Sequence, residues 1–230
     1  TTFKMKLKPF DYYEASVFYP NFSSEDKVRL YSVFGGIPFY LSKIDNTISV
    51  EDNIKLLIIN NGAALEEETT FFLSQEVRSI TSYANVLTAI ASGATRYNEI
   101  QTKSKISSSG SLATYLDTLT ELGIIEKERC FKDSSNKKSI YVIKDQLFRF
   151  HYQFIEKNQS AKSIMEPNAF YDSLIKPYFE EYVSIEFERI CLQFLVRKHR
   201  TTILDIGRYW YNNKELKKEI EIDIVLLTLK

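Results

Sequence analysis

Hydrophobic and polar positions in the middle of the chain follow first the period of α-helices and then that of β-strands. Residues 82–93, 95–105 and 107–123 carry apolar side chains at helical spacing, and a glycine ends the first and the third stretch. Two alternating runs follow, IIEKERCF and KSIYVIKD, around the polar loop KDSSNKK. Three helices and a two-stranded ribbon predict a winged helix, which is a variant of the helix-turn-helix.

The last third of the chain predicts one long helix and two strands. The helix runs from about Tyr171 to Lys198, and Pro177 is a candidate break. Its predicted buried face holds five apolar side chains: Phe179, Val183, Phe187, Ile190 and Phe194. The runs TTILDIGRYWYNN and KEIEIDIVLLTLK predict strands that meet at a turn at Asn212–Asn213.

The first third of the chain is predicted to be mostly helical. Ser23 or Ser24 is a candidate N-cap, and an apolar stripe follows it until Gly35 ends the helix. The patterns together predict an α+β protein that is mainly helical. Its predicted parts are a helical region at residues 1–78, a winged-helix domain at 79–157 and a C-terminal unit at 158–230.

Composition narrows the class of protein. Hydrophobic residues make up 44% of 230 residues, which is enough for a packed core, and 30 basic residues balance 30 acidic ones. No overall charge therefore attracts the chain to nucleic acid or to an acidic membrane. Cys130 and Cys191 are predicted to be reduced thiols of a cytoplasmic protein. No apolar run could span a bilayer, and the first residues lack a signal peptide.

The charges of the predicted winged helix bear on DNA binding. Nine basic and seven acidic residues lie between Ala94 and Asp145, which leaves a net charge of +2. The outward positions of the third helix include no lysine or arginine, so this helix is poorly suited to reading bases. Phosphate contacts are predicted only from the wing, at Lys132, Lys137 and Lys138.

Acidic residues alternate along the last predicted strand. Glu219, Glu221 and Asp223 share one face of a regular strand, and isoleucines and a leucine share the other. A divalent metal site with Glu188 from the long helix is one explanation. The other is an edge strand with a charged solvent face. The candidate partners for these acids are Lys217, Lys218 and Arg208.

Other catalytic patterns are missing from the sequence. Neither GGIPFYLSK nor GSLATY has the spacing G-x-x-x-x-G-K-[ST] of a phosphate-binding loop. The two histidines, His151 and His199, belong to no readable catalytic set, and His151 among aromatic residues is predicted to pack. The sequence as given is therefore not expected to hydrolyse a nucleotide.

Three separated motifs occur in a recognisable order. They are YSVFGGIPFYLSKID followed by Asn53 and Ile54, a winged helix that ends in YVIKDQLFRFHYQFI, and FERICLQFL with IGRYW and EIDIV. This order resembles the C-terminal part of archaeal-type P-loop ATPases, which have an AAA+- or STAND-like core. The resemblance implies a helical lid at residues 1–78 and a truncated domain related to PD-(D/E)xK nucleases at 158–230.

The resemblance also implies roles for single residues. Glu188 matches the helix acid of the nuclease-like domain and Asp223 its first strand acid, and both are candidate metal ligands with Glu221 beside them. Two motifs are implied to have structural roles. Gly35, Gly36 and Pro38 form the turn into the lid, and Arg208 and Trp210 belong to the motif GRYW.

Other features of the ATPase family do not occur in the sequence. It lacks the Walker lysine, the acidic magnesium motif and the E-x-K strand. Lys230 cannot replace the missing lysine, because seven strand residues place it roughly 23 Å from Asp223. The chain is therefore expected to be a piece of a longer ATPase that uses ATP and Mg²⁺. This piece is expected to have no cofactor of its own and no ATPase or nuclease activity.

Three functions stay open at this point. The favoured one is a regulatory and interaction region of a P-loop ATPase, with the upstream ATPase core as a partner and DNA or a protein bound through the winged helix. The second is a free-standing winged-helix transcription regulator. The third is a metal-dependent nuclease that uses Glu188 and Asp223. No membrane partner is expected, and the sequence does not predict the oligomeric state.

Overall fold

The computed structural model describes residues 7–132, 139–213, 215 and 217–229. Within these ranges the chain is mainly helical, with two small antiparallel sheets of two strands each. The predicted α+β class is therefore confirmed. None of the helices in the described ranges is long and apolar enough to cross a lipid bilayer.

Five helices form the N-terminal region. They are α1 (Tyr12–Ala15), α2 (Ser24–Phe34), α3 (Pro38–Leu41), α4 (Val50–Ile54) and α5 (Glu68–Glu76). Ser23 caps α2 by accepting a hydrogen bond from the backbone N–H of Asp26, which confirms the predicted N-cap. A π-helical segment, Lys55–Ile59, continues α4 and buries three of its apolar side chains.

The middle of the chain has the helices and strands of a winged helix. They are α6 (Ile80–Ala91), α7 (Tyr97–Ser104), α8 (Ser109–Glu121), β1 (Ile125–Arg129) and β2 (Ser139–Ile143). Ser108 caps α8, and the predicted leucine stripe of this helix is buried at Leu112, Leu116 and Leu119. The strands β1 and β2 pair antiparallel, with Ile125 opposite Ile143. The predicted arrangement of three helices and a ribbon is therefore present.

In the described residues, the C-terminal part contains four α-helices, with π-helical and 3₁₀ segments between them, and a hairpin. They are α9 (Gln146–Phe150), α10 (Gln159–Lys162), α11 (Pro167–Phe170), α12 (Lys176–Lys198), β3 (Ile203–Asn213) and β4 (Lys218–Thr228). A π-helical segment, Tyr171–Ile175, joins α11 directly to α12, so the chain is helical from Pro167 to Lys198 and Pro177 does not break it. The hydrogen bonding changes from π to α just before this proline. The turn predicted at Asn212–Asn213 is wrong, because both residues still pair with β4.

The buried face of α12 differs from the predicted one. Phe179, Val183 and Ile190 are buried as expected, but Phe187 and Phe194 are 51% and 59% exposed. The buried arc is rotated toward Tyr182 and Glu186, which lie between the three buried apolar positions on the helix. The carboxylate of Glu186 is therefore buried on α12, where the apolar pattern predicted the neighbouring Phe187 to be buried.

A β-bulge changes which residues of β4 share a face. Gly207 pairs with Val225 and Tyr209 pairs with Ile222, so β4 has one residue more than β3 between these pairs. The side chains of β4 before and after Asp223 therefore do not follow one regular alternation between the two faces. Ile222 lies on the face of Tyr209, whereas Leu226 lies on the face of Trp210, although strict alternation predicted Ile222 and Leu226 on one face.

Two hydrophobic clusters form the core, and α9 takes part in both. The first cluster joins residues 15–65 to residues 147–190, and the second lies within residues 73–152. Leu147 and Phe150 point into the first cluster, and Phe148 points into the second. The predicted domain limits remain a prediction. Trp210 is the only buried residue that the structure describes after Ile190, so the hairpin β3–β4 belongs to neither cluster.

Candidate functional site

The glycine pair after α2 forms a turn that leaves no room for side chains. Gly35 ends α2 with a φ of +63°, and a Cβ at Gly36 would lie 1.9 Å from the carbonyl oxygen of Phe10. The backbone N–H of Phe10 donates to the oxygen of Gly36 at 2.8 Å, and Pro38 starts α3. A Cβ at Gly35 would meet Oε1 of Gln146 at 2.4 Å, so the turn also lies against the start of α9.

Gln146 connects this turn to a carboxylate in the middle of α12. Its Nε2 donates to Oε1 of Glu186 at 2.9 Å, and the side chain of Glu186 is 0% exposed. The other carboxylate oxygen lies 3.6 Å from both Arg149 and Arg189. A buried charge is tolerated when opposite charges and hydrogen-bond donors lie around it. For Glu186 the donor is Gln146, at Oε1, whereas Oε2 has no hydrogen bond and faces the two guanidinium groups.

Arg189 connects α12 to the wing, which is the ribbon formed by β1 and β2. Its guanidinium lies 3.7 Å from Glu126 and 3.7 Å from Glu128 on β1, and it donates to the oxygen of Ile143 on β2 at 3.0 Å. Burial alone would lower the pKa of Arg189, but Glu186 and the two wing acids raise it above its ordinary value. This arginine therefore stays charged between the long helix and the ribbon.

Arg208 on β3 makes the corresponding contacts from the hairpin. Its guanidinium lies 3.5 Å from Glu128 and 3.7 Å from Glu188, and it forms a hydrogen-bonded ion pair with Glu221. We call the set of Arg189, Arg208, Glu126, Glu128, Glu188 and Glu221 the arginine–carboxylate junction. It joins three elements of the chain, which are β1, α12 and the hairpin.

Backbone contacts run beside the junction. The N–H of Phe131 donates to the oxygen of Arg208 at 2.7 Å. The N–H of Trp210 donates to Sγ of Cys130 at 3.4 Å, and the thiol donates to the oxygen of Trp210 at 3.3 Å. The chain just after β1 therefore lies along the free edge of β3.

The acids predicted for a metal site do come together, around a cation that belongs to the protein. Burial raises the pKa of Glu188, the nearby charges of Asp223 and Glu221 raise it further, and Arg208 opposes this shift. In the ranges that the structure describes, no three His, Cys, Asp or Glu side chains are grouped so as to hold a metal ion. The assignment of Glu188 and Asp223 to a metal stays a prediction.

Of the predicted nucleic-acid residues, the structure describes Lys132. Lys132 is exposed, with its Nζ 5.7 Å from the ring centroid of Phe131, and Lys127 and Arg129 of β1 are also exposed. Asp117 is exposed on α8. Lys137 and Lys138 lie outside the residues that the structure describes.

Sequence reasoning missed several members of this site, namely Gln146, Arg149, Glu186, Arg189, Glu126 and Glu128. One signal was present in the sequence. Glu186 lies seven residues after Phe179 and three after Val183, so it falls within the apolar stripe of α12. A charged residue in a buried stripe requires a partner, and Arg149 and Arg189 supply it.

Comparisons with known proteins relate the chain to others whose roles are not known. Residues 151–230 match the family DUF234, described as archaeal and bacterial proteins of unknown function. The chain is 29% identical over 218 residues to an uncharacterised protein of Methanocaldococcus jannaschii, an alignment that covers 92% of this chain and 48% of that protein. The chain thus spans about half the length of this relative. No solved structure matches the chain significantly.

Proposed function

We propose that this chain is the regulatory and interaction region of a P-loop ATPase and has no nucleotide-hydrolysing site of its own. The order of its motifs supports this proposal, because a GGIP turn, a winged helix and an EIDIV strand follow one another as in archaeal-type ATPases. A relative about twice as long is consistent with a further part such as an ATPase core. ATP and Mg²⁺ would then act in that core.

The observation that carries the proposal is a contiguous set of contacts from the glycine turn to the hairpin. Gln146 lies against Gly35 and binds Glu186, which lies beside Arg189 on the next turn of α12. The arginine–carboxylate junction continues this contact to the wing and to β3. The glycine turn, the winged helix and the hairpin are thus joined by contacts through which, we propose, a displacement of one part acts on the others.

Arg208 makes the nuclease alternative weaker. A catalytic magnesium ion needs carboxylate oxygens free to coordinate it, and in this chain a guanidinium lies among Glu128, Glu188 and Glu221. A transcription regulator that reads sequence is also disfavoured, because Thr114 and Asp117 face outward from α8 and no base-reading arginine or lysine does. Non-specific contact of Lys127, Arg129 and Lys132 with a nucleic-acid backbone fits the exposed charges.

The test is a comparison between this chain and the product of the complete open reading frame that encodes it. We expect ATP turnover with Mg²⁺ from the complete product and none from residues 1–230 alone. We also expect duplex DNA to bind the isolated chain only at low salt and without sequence preference. ATP turnover by the isolated chain, or a complete product without ATPase activity, would contradict the proposal. Tight binding to one DNA sequence would favour the transcription regulator instead.

A further inference from the structure

We propose that the arginine–carboxylate junction is a releasable clasp, which holds the hairpin β3–β4 against the wing and opens while both hydrophobic clusters stay folded. In the closed state Arg208 of the hairpin lies against Glu128 on β1 and Glu188 on α12. In the open state Glu128 and Glu188 lose the contact with Arg208. The clasp is a contact within this chain and does not depend on its assignment to an ATPase.

The hairpin has little apolar attachment to the rest of the molecule. Among the described side chains after Ile190, only Trp210 is buried, and it is 6% exposed. Tyr209, Tyr211 and Ile222 are at least a third exposed on the opposite face of the hairpin. Since burial of apolar area is the main force that fixes elements to a core, the position of this hairpin depends largely on other contacts.

Those other contacts are the hydrogen bonds of Phe131 and Cys130 with the backbone of β3, and ion pairs that are partly open to water. The ion-pair distances from Arg208 to Glu128 and Glu188 are 3.5 Å and 3.7 Å, and its side chain is 27% exposed. Ion pairs that water reaches are weakened by salt, because dissolved ions screen the attraction. The attachment of the hairpin is therefore expected to weaken as the salt concentration rises.

The balance of charges explains why one arginine controls the contact. Four carboxylates of the junction, on β1, α12 and β4, are matched by Arg189 and Arg208. Without Arg208, Glu128 would keep only Arg189, and Glu188 would face Glu221 and Asp223 of the hairpin without this cation, and like charges repel. Arg208 is thus a positioning residue for the hairpin.

The experiment uses Trp210, the only tryptophan in the sequence, whose backbone contacts the Cys130 thiol. NaCl is raised from about 0.1 M to about 1 M, over which the Debye length falls from ~10 Å to ~3 Å. We expect the emission of Trp210 to shift to the red and its quenching by acrylamide to rise about twofold or more as the ion pairs are screened. The helical circular dichroism should stay constant.

Three variants at two arginines sharpen the test. Arg208→Ala should show the red-shifted Trp210 emission already at low salt. Arg208→Lys keeps the charge but lacks the planar guanidinium, so its Trp210 emission should lie between that of Arg208→Ala and that of the unchanged protein. Arg197→Ala is the matched control, since Arg197 lies on α12 but pairs with Asp11, away from the junction. Trp210 emission that ignores salt and Arg208→Ala would overturn the clasp. A change of emission that occurs only together with loss of helical signal would overturn it as well.

Discussion

The glycine pair at the end of α2 illustrates what a single position can require. Its role in a turn was predicted from the motif GGIP, but the reason appears only when distant residues are brought together. The backbone of Phe10 passes so close to Gly36 that any side chain would collide with it. A contact across 26 positions cannot be read from local pattern, although the presence of two adjacent glycines indicates that backbone approach of some kind is needed.

The substitution Gly36→Ala should therefore destabilise the fold. We expect the free energy of unfolding, measured by urea denaturation, to fall by about 1 to 3 kcal/mol, because the Phe10 segment must move. Gly110→Ala is the control: its Cβ would have only Ser108 nearby, at 3.8 Å, within α8. Alanine there should raise stability by about 0.5 to 1 kcal/mol. Equal stability of Gly36→Ala and the unchanged protein would refute the close approach.

Individual members of the candidate site were predicted unevenly. Glu188, Glu221 and Arg208 were named from the sequence because they belong to motifs, and the structure brings them together. Glu186 and Arg189 were not named, since their importance comes from burial between separate elements. Which residues of one helix meet which residues of a strand depends on packing, and packing is a property of the whole fold.

At the scale of elements, periodicity predicted the winged helix well and α12 less well. The leucine stripe of α8 is regular and its buried face follows directly. In α12 the apolar residues surround the helix, and the polar contacts of Glu186 decide which arc turns inward. The sequence did not predict the bulge in β4 either, because a bulge depends on how the strand pairs with its partner.

The start of α9 gives a prediction for pH. Asp145 caps this helix by accepting a hydrogen bond from the N–H of Phe148 at 3.0 Å. Burial raises the pKa of its carboxyl group to about 6, and the charges of Glu186 and Glu68 add to this, although the N–H groups of Phe148 and Leu147 oppose it. The folded state thus binds the proton more tightly than the unfolded state. Stability from this group is present at low pH and is lost as the pH rises through about 6.

Asp145→Asn removes the charge and keeps an acceptor for the cap. We expect this variant to be more stable than the unchanged protein by about 1 kcal/mol at neutral pH, and the difference to vanish toward pH ~4, by denaturant titration at both pH values. Asp145→Ala, which also loses the cap, should gain less. A variant Asp145→Asn that is less stable at neutral pH and whose difference does not change with pH would show that the carboxylate is favoured in the fold.

At the scale of the whole molecule, α9 belongs to both hydrophobic clusters, whereas the hairpin β3–β4 belongs to neither. The helix α9 ties the N-terminal helices to the winged helix through apolar packing, whereas the hairpin is attached through ion pairs and through hydrogen bonds to Cys130 and Phe131. The two hydrophobic clusters are thus fixed to each other by apolar packing, and the hairpin is the part that we propose can be released. The sequence predicted the order of the parts, but not how strongly each is attached, since attachment depends on contacts between residues far apart in the chain.

The most direct test of a regulatory role is the rate of ATP turnover by the product of the complete open reading frame, with Arg189→Ala compared with Arg197→Ala. Arg189 joins α12 to the wing and lies beside Glu186, whereas Arg197 pairs with Asp11 outside the junction. We predict that Arg189→Ala changes turnover about threefold or more while the protein stays folded, and that Arg197→Ala leaves it unchanged. Equal turnover in the two folded variants and the unchanged protein would contradict the account.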